Sequence, residues 1–156
     1  AIEHVDPRIA RTTADIDDLN AWLAEHEDGV GIGWSVAPGR PLDRRLFGIA
    51  FAAADGSAWY VSCDPSADAF TRLPAEFVRE DRVRIGHDLK QLVSTLWSDR
   101  GVELKGSFVD TLVAGYMVNP ALRSQTIDDL VAQHFAVELP PKPVTPDGSG
   151  NVWGLP

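Results

Sequence analysis

The sequence has a single cysteine, Cys63, so no disulfide bond can form within the chain. It also contains no apolar run near the roughly 18 residues that a membrane helix needs. Its N-terminus, Ala1 to Pro7, lacks the basic and apolar regions of a signal peptide. These absences predict a cytoplasmic protein with no membrane partner. The first residue is not methionine, which we interpret as the sign of a fragment of a longer protein.

Basic residues are scarce: 14 Lys and Arg stand against 23 Asp and Glu, for a formal net charge of −9. A chain with this balance repels polyanions at long range, so an autonomous nucleic-acid-binding protein is disfavoured. Apolar residues make up 44% of the 156 residues and charged residues 24%. This composition and length predict one globular domain, and we expect it to be a monomer.

Periodicity predicts a helix followed by three consecutive strands in the first half of the chain. The helix covers 15–27 behind a capping threonine, Thr12 or Thr13. Alternating or continuous apolar residues predict strands at 30–36, 46–54 and 58–62. Asp55 and Gly56 form the expected hairpin turn between the last two strands.

The second half alternates strands and helices. Prolines reduce 68–80 to a short broken helix, and short strands are predicted at 83–86 and 108–109. The clearest helix is 89–100, with Asp88 as its cap and Gly101 at its end. Two more helices are expected, one from Asp110 or Thr111 to before Pro120 and one from Thr126 to Phe135. The predicted fold is α/β, with a mixed sheet of about five strands flanked by helices.

Common catalytic patterns are weak in this sequence. Gly29, Gly31 and Gly33 lie in a strand pattern with no helix directly after it, so a phosphate-binding loop is disfavoured. A catalytic triad could be composed of Ser35, His87 and either Asp88 or Asp110, but in a sequence with many acidic residues such a combination is expected by chance. No pair at zinc-ligand spacing occurs among the candidate ligands Cys63, His4, His26, His87 and His134.

Two segments have compositions that suggest contact with other molecules. The loop 37–45 carries Arg40, Arg44 and Arg45, which are possible phosphate contacts, although a solvated loop is the simpler interpretation. The tail 137–156 is rich in proline and glycine and is predicted to be extended. Its Pro140 and Pro143 match a PxxP ligand, although a plain linker is the simpler interpretation there too.

Four ordered strings resemble the 3′-5′ exonuclease domain of bacterial DNA polymerase I, a member of the ribonuclease H-like superfamily. The strings, which lie within 12–136, are Leu-Phe-Gly-Ile-Ala-Phe from 46, Ile-Gly-His-Asp-Leu-Lys from 85, Gly-Val-Glu-Leu from 101, and Asp-Thr-Leu-Val-Ala-Gly-Tyr-Met-Val-Asn-Pro from 110. The resemblance implies the fold of that family and an activity that needs two divalent metals about 4 Å apart.

The resemblance also implies that the metal-binding acids are missing here. Aligned by the alternation of 30–36, the two acids of the first motif fall on Gly33 and Ser35, and the acid of the second motif falls on Leu92. Asp88 replaces an asparagine of the family and is expected to cap the helix instead. Asp110 matches a structural position, and the third motif would lie beyond Pro156. No metal or other cofactor is therefore expected in this domain.

The function implied is that of an inactive exonuclease-like domain, 1–136, that serves as a scaffold beside the polymerase domain of the same polypeptide. Template-directed DNA synthesis in replication and repair, with its Mg²⁺ and DNA contacts, would belong to that parent enzyme. Two alternatives stay open. One is a module that docks a protein or single-stranded DNA, and the other is a nuclease whose metal ligands have been relocated.

Overall fold

A computed structural model describes residues 5–63 and 72–140. Within these ranges the chain forms six strands and five helices, in the order β1 (Arg8–Ala10), α1 (Thr13–Glu25), β2 (Val30–Val36), β3 (Leu46–Ala53), β4 (Ala58–Ser62), α2 (Ala75–Val78), β5 (Arg84–Gly86), α3 (Leu89–Arg100), β6 (Phe108–Asp110), α4 (Thr111–Val118) and α5 (Ile127–Phe135). No helix in the described ranges is long and apolar enough to cross a membrane.

The strands form one mixed sheet in the order β1-β4-β3-β2-β5-β6. β2, β3 and β4 are antiparallel neighbours, and Asp55 and Gly56 form the turn between β3 and β4. On the other side of β2, β5 and β6 are added in parallel, and each is followed by a helix. At the other edge of the sheet, β1 pairs in parallel with β4. The sheet is therefore mixed, and β2 pairs antiparallel with β3 on one side and parallel with β5 on the other.

The main core lies on one face of this sheet. Helix α1 begins with a capping box, in which Thr12 and Asp15 each accept the other's main-chain N–H, and buries Ile16, Leu19 and Leu23. These side chains belong to the same buried cluster as Leu89, Leu92 and Leu96 of α3 and the inward residues of the central strands. Helix α2 adds Phe77, whose ring meets Phe51 of β3 edge to face, with centroids 5.3 Å apart. Both long helices, α1 and α3, therefore cover the same face of the sheet.

The predicted α/β fold and most predicted elements are confirmed. The α3 helix has the predicted bounds, with Gly101 in the left-handed conformation at its end, and α5 ends at Phe135 as expected. The β1 strand was not predicted. Of the short helix expected in 68–80, the described residues contain α2, Ala75–Val78. Residues 64–71 lie outside the described part of the chain, as does the tail beyond residue 140.

The predicted capping of α3 by the Asp88 side chain is wrong. Asp88 has a φ of 58°, in the left-handed region, and its carboxylate makes no capping hydrogen bond. The Asp110 carboxylate takes over this function, since it accepts the main-chain N–H of Asp88 at 2.9 Å and of Leu89 at 2.7 Å. It also accepts the N–H of Leu112 at 2.9 Å and so caps α4, as predicted. One carboxylate therefore fastens the N-termini of two helices.

Candidate functional site

The candidate site lies where β2 passes under the N-terminal half of α3. Gly86 allows this close approach, because a Cβ there would lie 2.8 Å from Leu89 Cδ2 and 3.0 Å from the carbonyl oxygen of Ile32. The residues of β2 that face α3 are those packed in or against the main core: Val30, Ile32, Trp34 and Val36. Pairing with β3 agrees, since Ile32 is opposite Phe51 and Trp34 is opposite Ile49, both of which are core residues.

Gly33 and Ser35 lie on the opposite face of the sheet from Leu92. Gly33 is exposed, and a Cβ there would meet Ala50 at 3.8 Å rather than any atom of α3. Ser35 is paired with Gly48, over which the ring of Tyr60 lies. The assignment of the first motif's two acids to Gly33 and Ser35 is therefore wrong, because these positions cannot share a site with Leu92. A shift of one residue moves every side chain of a strand to the other face.

With this correction, the positions on β2 that face Leu92 include those of Ile32, Trp34 and Val36. Leu92 is fully buried, whereas Trp34 is only partly buried. The indole N–H of Trp34 donates to Oε1 of Gln91 at 3.2 Å, which ties the strand to α3. Two acids spaced as Asp-x-Glu could share a face with Leu92 only at 30 and 32, at 32 and 34, or at 34 and 36. All three pairs are apolar in this chain, so the site is lined by core side chains.

The carboxylate of Asp110, an acidic residue at the start of α3 and α4, is committed to main-chain contacts. Asp110 accepts three N–H groups as described above, so its carboxylate is saturated by helix ends. Nδ1 of His87 lies 3.0 Å from the hydroxyl of Thr111, which in turn donates to the carbonyl of Gly86 at 3.2 Å. His87 is therefore engaged with Thr111 and not with Ser35, and no triad is assembled at Ser35.

The side chains at the β2–α3 contact do not supply the oxygen ligands that a divalent cation requires. Hard cations take carboxylate and carbonyl oxygens, whereas the positions facing α3 carry indole and aliphatic side chains. Within residues 5–63 and 72–140, no group of three or more His, Cys, Asp and Glu is arranged to hold a metal. Burial raises the pKa of the Cys63 thiol to about 11, which disfavours the thiolate that zinc would need. The two-metal chemistry implied by the resemblance therefore has no ligand set at this position.

The arginine loop lies beside the same helix. Arg44, whose Nε donates to the carbonyl of Gly39 at 3.2 Å, lines a shallow groove with Lys90 of α3. The groove has a volume of about 170 Å³, and the remaining lining residues are Pro41, Asp88, Gln91 and Ser94. Arg40 and Arg45 are exposed, and neither lines this groove. The contribution of Lys90 could not be inferred from spacing, because it lies 46 positions after Arg44 in the sequence.

Comparison with known proteins identifies the relatives of this chain. It is 36% identical over 126 residues to DNA polymerase I from Mycobacterium tuberculosis, and 33% identical over 124 residues to the enzyme from Mycobacterium leprae. Each alignment covers 78% of this chain. The chain is homologous to one segment of DNA polymerase I. That segment is short, because the alignment spans only 14% of the length of each of these relatives. No protein-family model matches the chain.

Solved structures agree on the fold. The structure of the POL domain of Pol1 from M. smegmatis in complex with DNA primer-template and dNTP matches with a TM-score of 0.68 and 27% identity, over 86% of this chain and 23% of that one. The catalytic core of RRP6 from Trypanosoma brucei matches with a TM-score of 0.73 and 18% identity, over 100% of this chain and 41% of that one. NrnC from Brucella melitensis bound to pGG matches with 0.72 and 11%, over 98% and 70%. This homologue of a DNA polymerase I segment has the ribonuclease H-like fold, as predicted.

Proposed function

We propose that this DNA polymerase I-related domain is an exonuclease-like domain without nuclease activity that serves as a scaffold within a polymerase. The observation that carries the proposal is the apolar contact between β2 and α3. Leu92 is fully buried there, and Ile32, Trp34 and Val36 face it from the strand. Cleavage by the two-metal route needs one cation to generate hydroxide and one to stabilise the leaving oxygen. Apolar side chains at this contact can bind neither cation.

The polymerase parent supports the scaffold part of the proposal. Relatives named DNA polymerase I align with most of this chain, and the matched M. smegmatis structure holds the equivalent segment within a longer polymerase chain. A domain that retains its fold but lacks metal ligands can still position its neighbours through shape. The partners we propose are therefore the polymerase domain and, through it, DNA.

The direct test is a nuclease assay on single-stranded DNA and on a primer-template with a mismatched 3′ end. With Mg²⁺ or Mn²⁺, we expect no release of nucleotides above the buffer blank, while an active exonuclease of the same fold serves as the positive control. Contaminating nuclease must be separated from intrinsic activity. The matched variants Asp88→Asn and Asp110→Asn change the two acids at the start of α3 for this purpose. Activity that survives repeated purification and disappears in either variant would refute the proposal and favour a nuclease with relocated ligands.

A second candidate function, docking of single-stranded DNA, is favoured by one observation. Arg44 and Lys90 line the same groove, although they come from a loop and a helix far apart in the sequence. Two cations in one groove can contact consecutive phosphates, and each such contact adds a salt-dependent term to the affinity. The net charge of −9 opposes this attraction at long range.

Titration with fluorescent single-stranded DNA at about 150 mM salt separates the two functions. For the scaffold we expect binding no tighter than about 10⁻⁴ M, the weak end of the non-specific range. Micromolar binding with a steep salt dependence, flattened by Arg44→Ala or Lys90→Ala, would favour docking. Arg72→Ala removes the same charge at an exposed position outside the groove and is the matched control.

A further inference from the structure

An apolar groove runs between α4 and α5. Its volume is about 420 Å³, and it is lined by Thr111, Ala114, Gly115, Val118, Ile127, Leu130, Val131, His134 and Phe135. Only His134 among these can carry a charge. Neither helix contributes a residue to the main core cluster of the described chain. The groove is therefore an apolar surface separate from the core.

The two helices that form the groove expose large apolar side chains to solvent. Val118 on one wall and Phe135 on the other are each 73% exposed. Helix α4, which forms one wall of the groove, contains no charged residue. Contiguous apolar surface of this kind usually marks a binding site. The ends of α4 and α5 are satisfied by their own caps, so the groove needs a partner that supplies apolar side chains rather than hydrogen bonds.

We propose that the C-terminal segment of this chain docks in the α4–α5 groove, with Trp153 as its anchor. The chain leaves α5 at Phe135, which itself lines the groove, and only five residues, 136–140, connect Phe135 to the 141–156 segment. The last nine residues, 148–156, include Val152, Trp153 and Leu155 and have no charged side chain. An uncharged apolar segment matches an uncharged apolar groove.

The length of chain is sufficient for this contact. Helix α5 has nine residues, so the groove along it is about 13 Å long at 1.5 Å per residue. Trp153 is 17 positions after Ala136, and an extended chain of that length reaches at most about 56 Å. Because the segment is tethered beside the groove, its effective concentration is of the order of millimolar, so a weak contact is enough to keep it bound.

The test measures chymotryptic cleavage after Trp153, followed by mass spectrometry, in the full chain and in a free peptide of residues 141–156. A docked Trp153 should be cleaved at least about tenfold more slowly than in the peptide, which corresponds to about 1.4 kcal/mol. Val118→Asp places a carboxylate in the groove wall at an exposed position, so the fold should persist, and it should restore the rate of the free peptide. Met117→Asp makes the same change at the adjacent exposed position outside the groove lining and should leave the rate unchanged.

Two results would overturn the proposal. The first is cleavage of the full chain at the rate of the free peptide. The second is protection that Val118→Asp and a second groove variant, Phe135→Lys, both leave intact. Sedimentation at several concentrations identifies a competing occupant: a dimer that Val118→Asp dissociates, without a change in Trp153 cleavage, would assign the groove to a second copy of the chain. None of these results depends on whether the domain cleaves DNA.

Discussion

Replacing Leu92 tests the apolar contact on which the proposed loss of activity rests. Leu92 is 0% exposed and packs in the core with residues of β2, β3 and α1. Leu92→Ala removes three buried carbons and leaves a cavity, which should lower the free energy of unfolding by about 2 to 5 kcal/mol. Leu92→Asp should cost more, because it also places a carboxylate among apolar side chains with no cation to pair with it.

The assay is urea denaturation followed by circular dichroism, with the midpoint and slope compared among variants. Leu42→Asp is the matched control, since it makes the same chemical change at a position that is 70% exposed, and it should move the midpoint little. Native proteins are typically stable by about 5 to 15 kcal/mol, so Leu92→Asp should leave the domain partly or fully unfolded. A Leu92→Asp variant within about 1 kcal/mol of the parent would mean that water reaches the β2–α3 contact, and our account of the site would then be wrong.

Three further predictions follow from contacts outside this site. Arg84 is fully buried and donates five hydrogen bonds to four main-chain carbonyls. Arg84→Lys should therefore lower the free energy of unfolding by at least about 3 kcal/mol. The control, Arg72→Lys at an exposed site, should shift the melting temperature little. The Trp22 carbonyl and the Asp55 carboxylate raise the pKa of His26 above 6.5. The stability that protonated His26 adds should therefore be complete below pH 6.5 and be lost as the pH rises through the raised pKa. The melting temperature of His26→Gln should differ more from that of the parent at pH 5.5 than at pH 8.5. Asp110→Ala leaves three helix-end N–H groups unpaired and should cost about 2 kcal/mol or more by urea denaturation, whereas Asp110→Asn should cost less.

The elements that could be predicted from the sequence are those with a strong local signal. Helix α3 has a five-residue apolar stripe and a terminal glycine, and its bounds in the structure agree with those expected. The same holds for the capping threonines of α1 and α5, because their side chains bond N–H groups only three residues away. The strand β1 could not be predicted, since its three residues are held by pairing with β4 and by Arg8 lying 4.1 Å over the ring of Trp59. These contacts join segments about 50 residues apart and leave no local pattern.

The residue that caps α3 could not be predicted from the sequence either, because the capping contact joins distant segments of the chain. An aspartate directly before an apolar stripe is a typical N-cap, and Asp88 stands at that position. The residue that bonds the free N–H groups is instead Asp110, at the end of the neighbouring parallel strand. The parallel pairing of β5 and β6 places Gly86 opposite Asp110, which brings this carboxylate to the start of α3. Only the tertiary fold decides between the two aspartates.

The register of β2 explains both the error in the expected site and the chemistry of the domain. Small and large residues alternate in 30–36. Assigning the missing acids to the small residues Gly33 and Ser35 assumes that the small residues line the site. The structure shows that α3 covers the face with the large residues, so a residue that faced Leu92 would have to occupy the position of one of them. Carboxylates crowded on that face would repel each other and would need cations to hold them together. Apolar residues there remove this requirement and extend the core under α3, so the features that disfavour metal-dependent cleavage also favour folding without a metal.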